Sequence, residues 1–283
     1  MTDIIIVDED IHGGSTVAIC PPKGIELDDG GWYHPSDAQK WLWSQREKQL
    51  KLVAKIVKAE KPKSITYAIN GDCVDGAHHL SSNAQYITPL ESHHIRIAHA
   101  VIDQTKKYFT PNRVHMTRGT GAHTGKASTL EEGLGRVLRQ EKWPMVEDPD
   151  TGQITSYWRR YEVGGLLIDQ RHHGRAGQRA HTRGTYWRLY AQDIEMEHRL
   201  DGIRPPDLAL RAHNHTYGDS GRDHRWITRV ISGPCWQLTT EYSHRRAYES
   251  LPSIGMYMVV IRDGRDELFV PALGDLRFRR VRA

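Results

Sequence analysis

The sequence predicts an α/β domain with two β-sheets. In the first half of the 283-residue chain, short apolar segments rich in β-branched residues alternate with amphipathic helical segments, as they do around a largely parallel sheet. From about residue 153 the predicted strands become shorter, which indicates a second sheet. Metal-binding residue types follow directly after several predicted strands. Because ligand sites in open α/β sheets lie at the carboxyl ends of strands, we expect these residues to converge.

The first half of the chain is predicted to alternate strands and helices. Ser36 is a suitable N-cap for the first helix, and Pro62 ends it. Proline and glycine residues between 21 and 36 predict a loop. The predicted strands are 3–8, 64–69 and 113–117, and the predicted helices are 36–60, 90–108 and 129–139.

The second half of the chain is predicted to be mostly strands. They are 157–163, 166–170, 208–212, 226–232, 256–262 and 268–271, with one helix over 185–200. We expect the last three strands to form a closing sheet. No internal repeat or linker composition interrupts the chain, so residues 1–283 are predicted to form a single domain.

The composition predicts a cytoplasmic protein without membrane contact. The chain is 38% hydrophobic and 26% charged, as soluble globular proteins are. No apolar run approaches the roughly 18 residues that a membrane helix needs, and the N-terminus does not resemble a signal peptide. Three irregularly spaced cysteines argue against a disulfide framework. The net charge of +4 permits an anionic substrate without demonstrating one.

Five separated segments carry the residue types that bind divalent metals. They are Asp10-Ile11-His12, Gly71-Asp72-Cys73-Val74-Asp75, Gly121-Ala122-His123, His172-His173-Gly174 and His213-Asn214-His215. One histidine after a strand is usually an ordinary turn residue, but five such segments in this order are much harder to explain that way. Their carboxylates and imidazoles suffice for two ions. Paired ions are a known solution for in-line displacement at phosphorus, where they clamp the attacking and leaving oxygens.

The order of these segments resembles that of the calcineurin-like metallophosphoesterases. That family has D-x-H, G-D-x-x-D, G-N-H, H and G-H-x-H, and the matching segments here extend from Asp10 to His215. The resemblance implies an α/β fold in the form of a four-layer α/β/β/α sandwich, with two mixed sheets flanked by helices and a dinuclear metal site at the C-terminal ends of strands. It implies two divalent metal ions, with Mn²⁺ expected and Fe, Zn²⁺ or Ni²⁺ as alternatives. The third segment is also similar to that of phosphoesterases encoded by bacteriophages.

The resemblance implies a role for each matching residue. Asp10, His12 and His215 would bind one metal, and Asp72 would bridge both. His213 and His173 would bind the second metal. His172, the neighbour of His173, is expected to point away or to lie behind the ligands; the register between the two is left open, so His172 is the alternative ligand.

The third segment departs from the family pattern. Ala122 stands where the family has a metal-binding asparagine, so the sequence leaves Thr120, Asn70, His123 or water to complete the second site. The resemblance gives His123 the role of general acid, or of stabilising charge, at the leaving oxygen. It gives Asp75 the role of orienting a metal ligand or His123. Thr124 replaces the acidic residue that usually follows the histidine.

The predicted function is hydrolysis of phosphate esters by hydroxide that the metals generate from water. The arginines at 171, 175 and 179 belong to a segment, 170–192, that contains no acidic residue, and they predict a phosphate-steering rim, although a solvated basic face is an equal alternative. The rim favours a phosphodiesterase or a nuclease, and nucleic acid is then the expected partner. Phosphomonoesterase and protein phosphatase are alternatives. Ala122 motivates a further one, a non-catalytic binding module with a degraded second metal site.

Overall fold

The architecture was obtained as a computed structural model that describes residues 1–28, 30–76, 85–124, 129–175, 182–245, 251–270 and 273–274. Strands and helices are numbered in chain order. The first sheet has the order β13 (Arg265–Phe269), β12 (Tyr257–Arg262), β1 (Thr2–Asp8), β4 (Ser64–Asn70), β5 (Arg113–Thr117), β6 (Thr155–Ser156). In it β1, β4, β5 and β6 are parallel, while β12 and β13 are antiparallel to their neighbours.

The second sheet is also mixed. Its order is β10 (Gly218–Asp219), β11 (Arg229–Ser232), β9 (Leu208–Arg211), β8 (Leu166–Gln170), β7 (Arg159–Val163). The three strands β8, β9 and β11 run parallel, and β7 and β10 are antiparallel edge strands. A separate two-stranded hairpin pairs β2 (Ile25–Glu26) with β3 (Trp32–Tyr33). The segment predicted as a loop over 21–36 therefore contains two short strands.

The helices within the described residues are α1 (Asp37–Glu60), α2 (Glu91–Asp103), α3 (Gly121–Thr124), α4 (Thr129–Gln140), α5 (Arg183–Leu200) and α6 (Glu241–Arg245), and a 3-10 turn (Gln104–Lys107) continues α2. Ser36 is the N-cap of α1, as predicted. Its hydroxyl accepts a hydrogen bond from the backbone N–H of Gln39, and the Gln39 side chain accepts one from the backbone N–H of Ser36. This reciprocal capping box fixes the first turn of the helix.

Three clusters of buried side chains separate four layers. Because successive side chains of a strand point to opposite faces, β1 contributes to two clusters. Ile4 and Ile6 pack against α1, α2 and α4, while Ile5 and Val7 pack against the second sheet. The third cluster joins α5 to the outer face of the second sheet. The predicted α/β/β/α sandwich of two mixed sheets is confirmed.

The predicted closing sheet is wrong in its pairing. Of the three strands assigned to it, β11 joins the second sheet, whereas β12 and β13 extend the first sheet beside β1. The last strand also begins earlier than predicted, because Asp263 and Gly264 form a turn with φ of 50° and 74°. Asp-Gly with two positive φ values is typical of a tight β-hairpin. That turn sets the register of β12 against β13.

The cysteines and the helices bear on two expectations drawn from the composition. Cys20, Cys73 and Cys235 are all buried and unpaired, which agrees with the prediction against a disulfide framework. Among the described residues, no helix has the length and apolar character needed to cross a bilayer.

Candidate metal centre

The five predicted segments meet at the carboxyl ends of β1, β4, β5, β8 and β9. Backbone hydrogen bonds join their loops directly. The N–H of Asp10 donates to the carbonyl of Gly71 at 3.1 Å, and the N–H of His12 donates to the carbonyl of Asp72 at 2.9 Å. From the second sheet, the N–H of His213 donates to Oδ2 of Asp10 at 3.0 Å. The loops therefore form one structure to which both sheets contribute.

Five candidate ligand residues share an unusual backbone conformation. Their φ angles are Asp10 49°, His12 49°, Asp72 47°, His213 71° and His215 51°. Residues other than glycine seldom occupy this left-handed region, and they do so mainly where the surrounding structure enforces it at functional sites. With these backbone angles, the chain turns tightly from Asp10 to His12 and from His213 to His215. The turns carry the ligand side chains toward one point.

The first ligand group consists of Asp10, His12 and His215. Oδ1 of Asp10 lies 3.7 Å from Nε2 of His12 and 3.4 Å from Nε2 of His215. This buried oxygen accepts no hydrogen bond from the described residues. An unsatisfied buried carboxylate oxygen costs free energy, and a cation shared with the two imidazoles would satisfy it. The donor set thus fits a divalent metal.

The spacing of the two imidazoles also fits a shared ion. Nε2 of His12 and Nε2 of His215 lie 3.1 Å apart. Two nitrogens at about 2.1 Å from one tetrahedral Zn²⁺ would lie about 3.4 Å from each other. The two rings therefore need a shift of only a few tenths of an ångström to bind one metal together.

The second ligand group consists of His172, His173 and His213. One nitrogen of each ring lies within 4.8 Å of the others. His172 is buried, and its Nε2 lies 2.9 Å from Oδ2 of Asp72, while its Nδ1 lies 2.7 Å from the carbonyl oxygen of Asn70. Of the alternatives left open for His172, the structure has the one in which both neighbouring rings face the site. His172 becomes a candidate ligand of equal standing with His173.

Asp72 stands between the two groups. Its carboxylate contacts His172 of the second group, and Asp10, Asp72 and His172 form a further set of potential ligands within 4.8 Å. A carboxylate has two oxygens and can span ions about 3.5–4 Å apart. The position of Asp72 therefore agrees with the bridging role that the resemblance implies.

The Thr120 hydroxyl lies among the side chains of the second ligand group. Its Oγ1 lies 3.0 Å from Oδ2 of Asp72, 3.0 Å from Nδ1 of His213 and 3.3 Å from Nε2 of His173. The alternative Asn70 is directed elsewhere: its side chain donates to Glu9 at 3.2 Å and accepts from Thr117 at 2.7 Å. Of the side chains proposed to replace the family asparagine, Thr120 is the one whose oxygen lies among the second group.

His123 and Asp75 lie beside the first ligand group. Nδ1 of His123 is 3.4 Å from Oδ1 of Asp75 and 3.1 Å from its carbonyl oxygen. The same Oδ1 lies 3.2 Å from Nδ1 of His12. One carboxylate therefore orients both a candidate ligand ring and the candidate acid, which is the arrangement of carboxylate, histidine and metal that fixes ring orientation in metal sites.

The charges around the centre raise the pKa of two of its histidines and lower that of a third. Burial opposes protonation of His172, but Asp72 and Asp10 outweigh it and raise its pKa to about 9. Burial, together with the neighbouring His172 and His213, lowers the pKa of His173 to about 4. Burial similarly opposes protonation of His123, yet Asp72 and Asp75 raise its pKa to about 9. Because metal binding displaces such protons, metal affinity should increase with pH.

Glu131 is a positioning residue that sequence reasoning missed. Its buried carboxylate on α4 accepts hydrogen bonds from the backbone N–H of Cys73 at 3.1 Å and of Gly119 at 2.6 Å. It thereby joins the loops that carry Asp72 and Thr120. Gly119 must approach Asp72 closely, since a Cβ at this glycine would lie 2.0 Å from Oδ1 of Asp72. The sequence signal was a glutamate on the apolar stripe of a helix.

The predicted arginine rim is only partly at the centre. Arg171 directly precedes His172, and its side chain is 39% exposed with Nε 3.4 Å from Oδ1 of Asp169. Arg175 is more exposed and pairs with Asp193 on α5 at 3.1 Å. Arg179 lies outside the described residues. Of the three arginines predicted to form the rim, the structure therefore describes Arg171 and Arg175.

Comparison with known proteins gives matches among solved structures alone, since no protein-family model and no curated protein matches the chain. An archaeal phosphodiesterase is 11% identical with a TM-score of 0.37, covering 95% of this chain and 99% of that one. Vacuolar protein sorting 29 from Cryptosporidium parvum is 11% identical with a TM-score of 0.38, covering 96% and 97%. A hypothetical protein from Pyrococcus horikoshii is 12% identical with a TM-score of 0.43, covering 98% and 89%.

Proposed function

We propose that this chain, which resembles the calcineurin-like metallophosphoesterases in motif order and in its four-layer architecture, is a metal-dependent phosphoesterase that hydrolyses phosphodiesters. The observation that carries the proposal is the pair of ligand groups on either side of Asp72. One group includes the unsatisfied Oδ1 of Asp10, and the other brings three imidazoles around the Thr120 hydroxyl. Carboxylate and imidazole donors suit Mn²⁺, Fe, Zn²⁺ and Ni²⁺. Mn²⁺ is the proposed cofactor.

The chemistry divides between the ions and the protein. Two divalent ions would supply Lewis acidity, which lowers the pKa of water and offsets the charge of phosphoryl oxygens. The protein residues hold the geometry. Asp75 fixes the ring of His12 through Nδ1, which leaves Nε2 for the ligand group. The Asp72 carboxylate is held by the backbone N–H of Thr120 at 2.6 Å.

His123 is the proposed proton donor to the leaving oxygen. Its ring lies edge-on to that of His12, with centroids 4.6 Å apart, so it stands directly beside the first group. Asp75 holds Nδ1, and the proton for the leaving oxygen would come from Nε2. With a pKa of about 9, raised against burial by Asp72 and Asp75, the ring retains its proton at neutral pH.

A second candidate is a binding module without catalysis. Ala122 motivates it, because an alanine cannot ligate the second metal. The position of the Thr120 hydroxyl supports the enzyme instead, since a metal-binding oxygen is available within the second group. The two candidates differ in the number of ions bound and in turnover.

The test is hydrolysis of bis-p-nitrophenyl phosphate by the metal-stripped chain after addition of Mn²⁺. We expect turnover that depends on Mn²⁺ and exceeds turnover of the monoester p-nitrophenyl phosphate. Asp72→Asn is expected to reduce kcat by at least about a hundredfold, because a neutral amide bridges two cations poorly. Asp263→Asn is the matched control, since Asp263 shares the left-handed backbone of Asp72 but lies in the exposed hairpin turn beside the N-terminus.

Two results would contradict a metal-dependent phosphoesterase that relies on Asp72. One is the absence of hydrolysis with Mn²⁺, Fe²⁺, Zn²⁺ and Ni²⁺ in turn, together with at most one bound ion per chain, which would favour the binding module. The other is full activity in Asp72→Asn. Greater activity on the monoester would replace the diesterase with a phosphomonoesterase.

A further inference from the structure

Two consecutive exposed aromatic residues connect the two sheets at the edge that carries the metal centre. Tyr157 and Trp158 lie between β6, the last strand of the first sheet, and β7, the edge strand of the second. The N–H of Arg118 donates to the carbonyl of Ser156 at 2.9 Å, so Tyr157 follows a segment paired with the end of β5. The antiparallel pairing of β7 with β8 likewise brings Trp158 beside the end of β8.

This connection borders the metal centre through two arginines. Arg118 is two residues before Thr120, and Arg171 immediately precedes His172. Because consecutive Cα atoms are 3.8 Å apart, the Cα atom of each arginine lies within about 8 Å of that of a metal-centre residue. The backbone around the aromatic pair therefore adjoins the backbone of the metal centre.

The aromatic rings are both exposed and accompanied by guanidinium groups. Tyr157 is 59% exposed and Trp158 is 45% exposed. The guanidinium carbon of Arg118 lies 5.2 Å from the ring centroid of Tyr157, and that of Arg171 lies 4.1 Å from Trp158. The guanidinium carbon of Arg160, a residue of β7, lies 5.8 Å from the ring centroid of Trp158. We call these five residues the aromatic crossover.

The charge of the aromatic crossover is positive. Within the part of the chain that the structure describes, the carboxylate in direct contact with it is that of Asp169, which is fully buried and pairs with the buried Arg211 at 2.7 Å. Glu132 is linked to it through the Thr155 hydroxyl, which donates to Glu132 and accepts from Nε of Arg118. Asp169 also accepts a hydrogen bond from Nε1 of Trp158 at 2.6 Å, which fixes the indole ring. Arg171 shares the same carboxylate at 3.4 Å. Because the Asp169 carboxylate is already paired with Arg211, the three arginines of the crossover keep a net excess of positive charge.

This combination fits one class of ligand. Surfaces that bind single-stranded nucleic acid combine aromatic rings, on which bases stack, with cations that follow the backbone. In a duplex the base faces are already stacked and could not reach the rings. We propose that the aromatic crossover binds single-stranded nucleic acid next to the metal centre, which makes the strand the substrate of the phosphodiesterase; this substrate assignment rests on the proposed function, whereas binding itself does not.

The test measures binding of a fluorescent, hydrolysis-resistant phosphorothioate oligothymidylate to the Mn²⁺-loaded chain. The double variant Tyr157→Ala/Trp158→Ala is expected to bind at least about tenfold more weakly, since each stacked base contributes about a tenfold factor or more. Tyr157→Phe/Trp158→Phe is expected to remain close to the unaltered chain. Both variants lose the hydrogen bond to Asp169, so their difference reports the rings.

An abasic phosphorothioate oligomer of the same length serves as the matched ligand. It carries the same charge without bases, and we expect the alanine variant to bind it as the unaltered chain does. Three results would overturn the inference: unchanged oligothymidylate affinity in the alanine variant, equal losses in the alanine and phenylalanine variants, or equal affinity of the unaltered chain for both oligomers.

The proposed function is tested separately, by turnover of bis-p-nitrophenyl phosphate with the unaltered chain. Turnover without ring-dependent binding would refute the aromatic crossover alone. Ring-dependent binding without turnover would refute the phosphodiesterase and leave a nucleic-acid-binding surface.

Discussion

Thr120 shows how a candidate ligand can be displaced in sequence yet lie among the other candidate ligands in space. The family asparagine aligns with Ala122, two residues later, so motif matching alone leaves the second site incomplete. In the structure the Thr120 hydroxyl lies 3.0 Å from Nδ1 of His213. The sequence could name Thr120 only as one of several substitutes, because the turn that leads into α3 decides which oxygen faces the histidines.

Replacing Thr120 with valine tests its role. Valine keeps the branched shape but removes the oxygen, so we expect the second ion to bind about tenfold or more weakly while the first is less affected. Thr120→Ser retains the hydroxyl and is expected to keep the affinity near that of the unaltered chain. Calorimetric titration of the metal-stripped variants with Mn²⁺ measures both sites. Equal affinities in the valine and serine variants would exclude Thr120 as a ligand.

The orientation of the His172 and His173 rings is a second feature that the sequence could not predict. The resemblance favours His173 as the ligand and leaves the register between the two histidines open, whereas successive side chains in a strand would face opposite ways. However, β8 ends at Gln170, and beyond it the chain no longer alternates. Both rings can therefore face the centre, and their centroids are 5.0 Å apart.

At the level of single elements, α4 does more than cover the first sheet. Leu134 and Leu138 pack in the core, and Glu131 lies on the same buried face. Burial and the nearby Asp72 raise the pKa of Glu131 to about 7. A glutamate within an apolar helical stripe is rarely tolerated without partners. That spacing predicts a buried polar contact, but its partners are loop N–H groups that the sequence does not reveal.

Removing the Glu131 carboxylate should loosen the metal loops. In Glu131→Ala the N–H groups of Cys73 and Gly119 lose their acceptor, and we expect the free energy of unfolding to fall by about 3 kcal/mol. Metal affinity should fall with it, because these loops carry Asp72 and Thr120. Glu132→Ala is the matched control on the same helix: Glu132 accepts from the N–H groups of Ile154 and Thr155 instead.

Chemical denaturation of both variants and their Mn²⁺ affinities separate the two effects. The control is expected to lose stability while keeping its affinity for metal. A loss of affinity in both variants would mean that stability alone explains the effect, and Glu131 would then have no particular positioning role.

The strands were predicted more accurately than their partners. The predicted strand 113–117 matches β5 residue for residue, and the predicted strand 166–170 matches β8. Hydrophobic alternation identifies which residues of a strand are buried, but it does not identify the neighbouring strand. The error at β12 and β13 follows from this, since β12 pairs with the N-terminal β1 across most of the chain length and β13 pairs with β12.

Across the whole molecule, the interface between the sheets should make stability depend on pH. His115 of β5 stacks on Tyr161 of β7, with centroids 3.7 Å apart and planes 3° from parallel. Burial, together with Arg159 and Arg113, lowers the pKa of His115 to about 3. Neither ring nitrogen has a hydrogen-bond partner among the described residues. The folded state therefore holds the neutral ring.

The sign of the effect follows from this depressed pKa. The unfolded chain takes up the proton near pH 6.5, whereas the folded chain resists it, so the stability contribution is complete above pH 6.5 and is lost as the pH falls toward 3. His115→Phe keeps a ring but cannot titrate. Between pH 7.5 and pH 5, the unaltered chain should lose about 2 kcal/mol relative to this variant. Denaturation at both pH values measures it, and parallel losses would contradict the buried neutral ring.

The architecture as a whole was predictable because two independent patterns agreed. Alternating strands and helices indicated an α/β fold, and the order of the five metal-binding segments pointed to a two-sheet sandwich with ligands at strand ends. The structure confirms that sandwich and brings Asp10, Asp72 and His213 together through the loops. The aromatic crossover was not foreseen, because two sheets must be in place before Tyr157 and Trp158 can lie beside Arg118 and Arg171.

The most direct test of the central claim is a titration of the metal-stripped chain with Mn²⁺ in which bound ions and turnover of bis-p-nitrophenyl phosphate are measured on the same samples. We expect turnover to rise with occupancy and to reach its maximum at two ions per chain, with Asp72→Asn failing to reach it. A chain that binds two ions without turnover, or that reaches full turnover without Mn²⁺, would contradict a dinuclear phosphodiesterase centre.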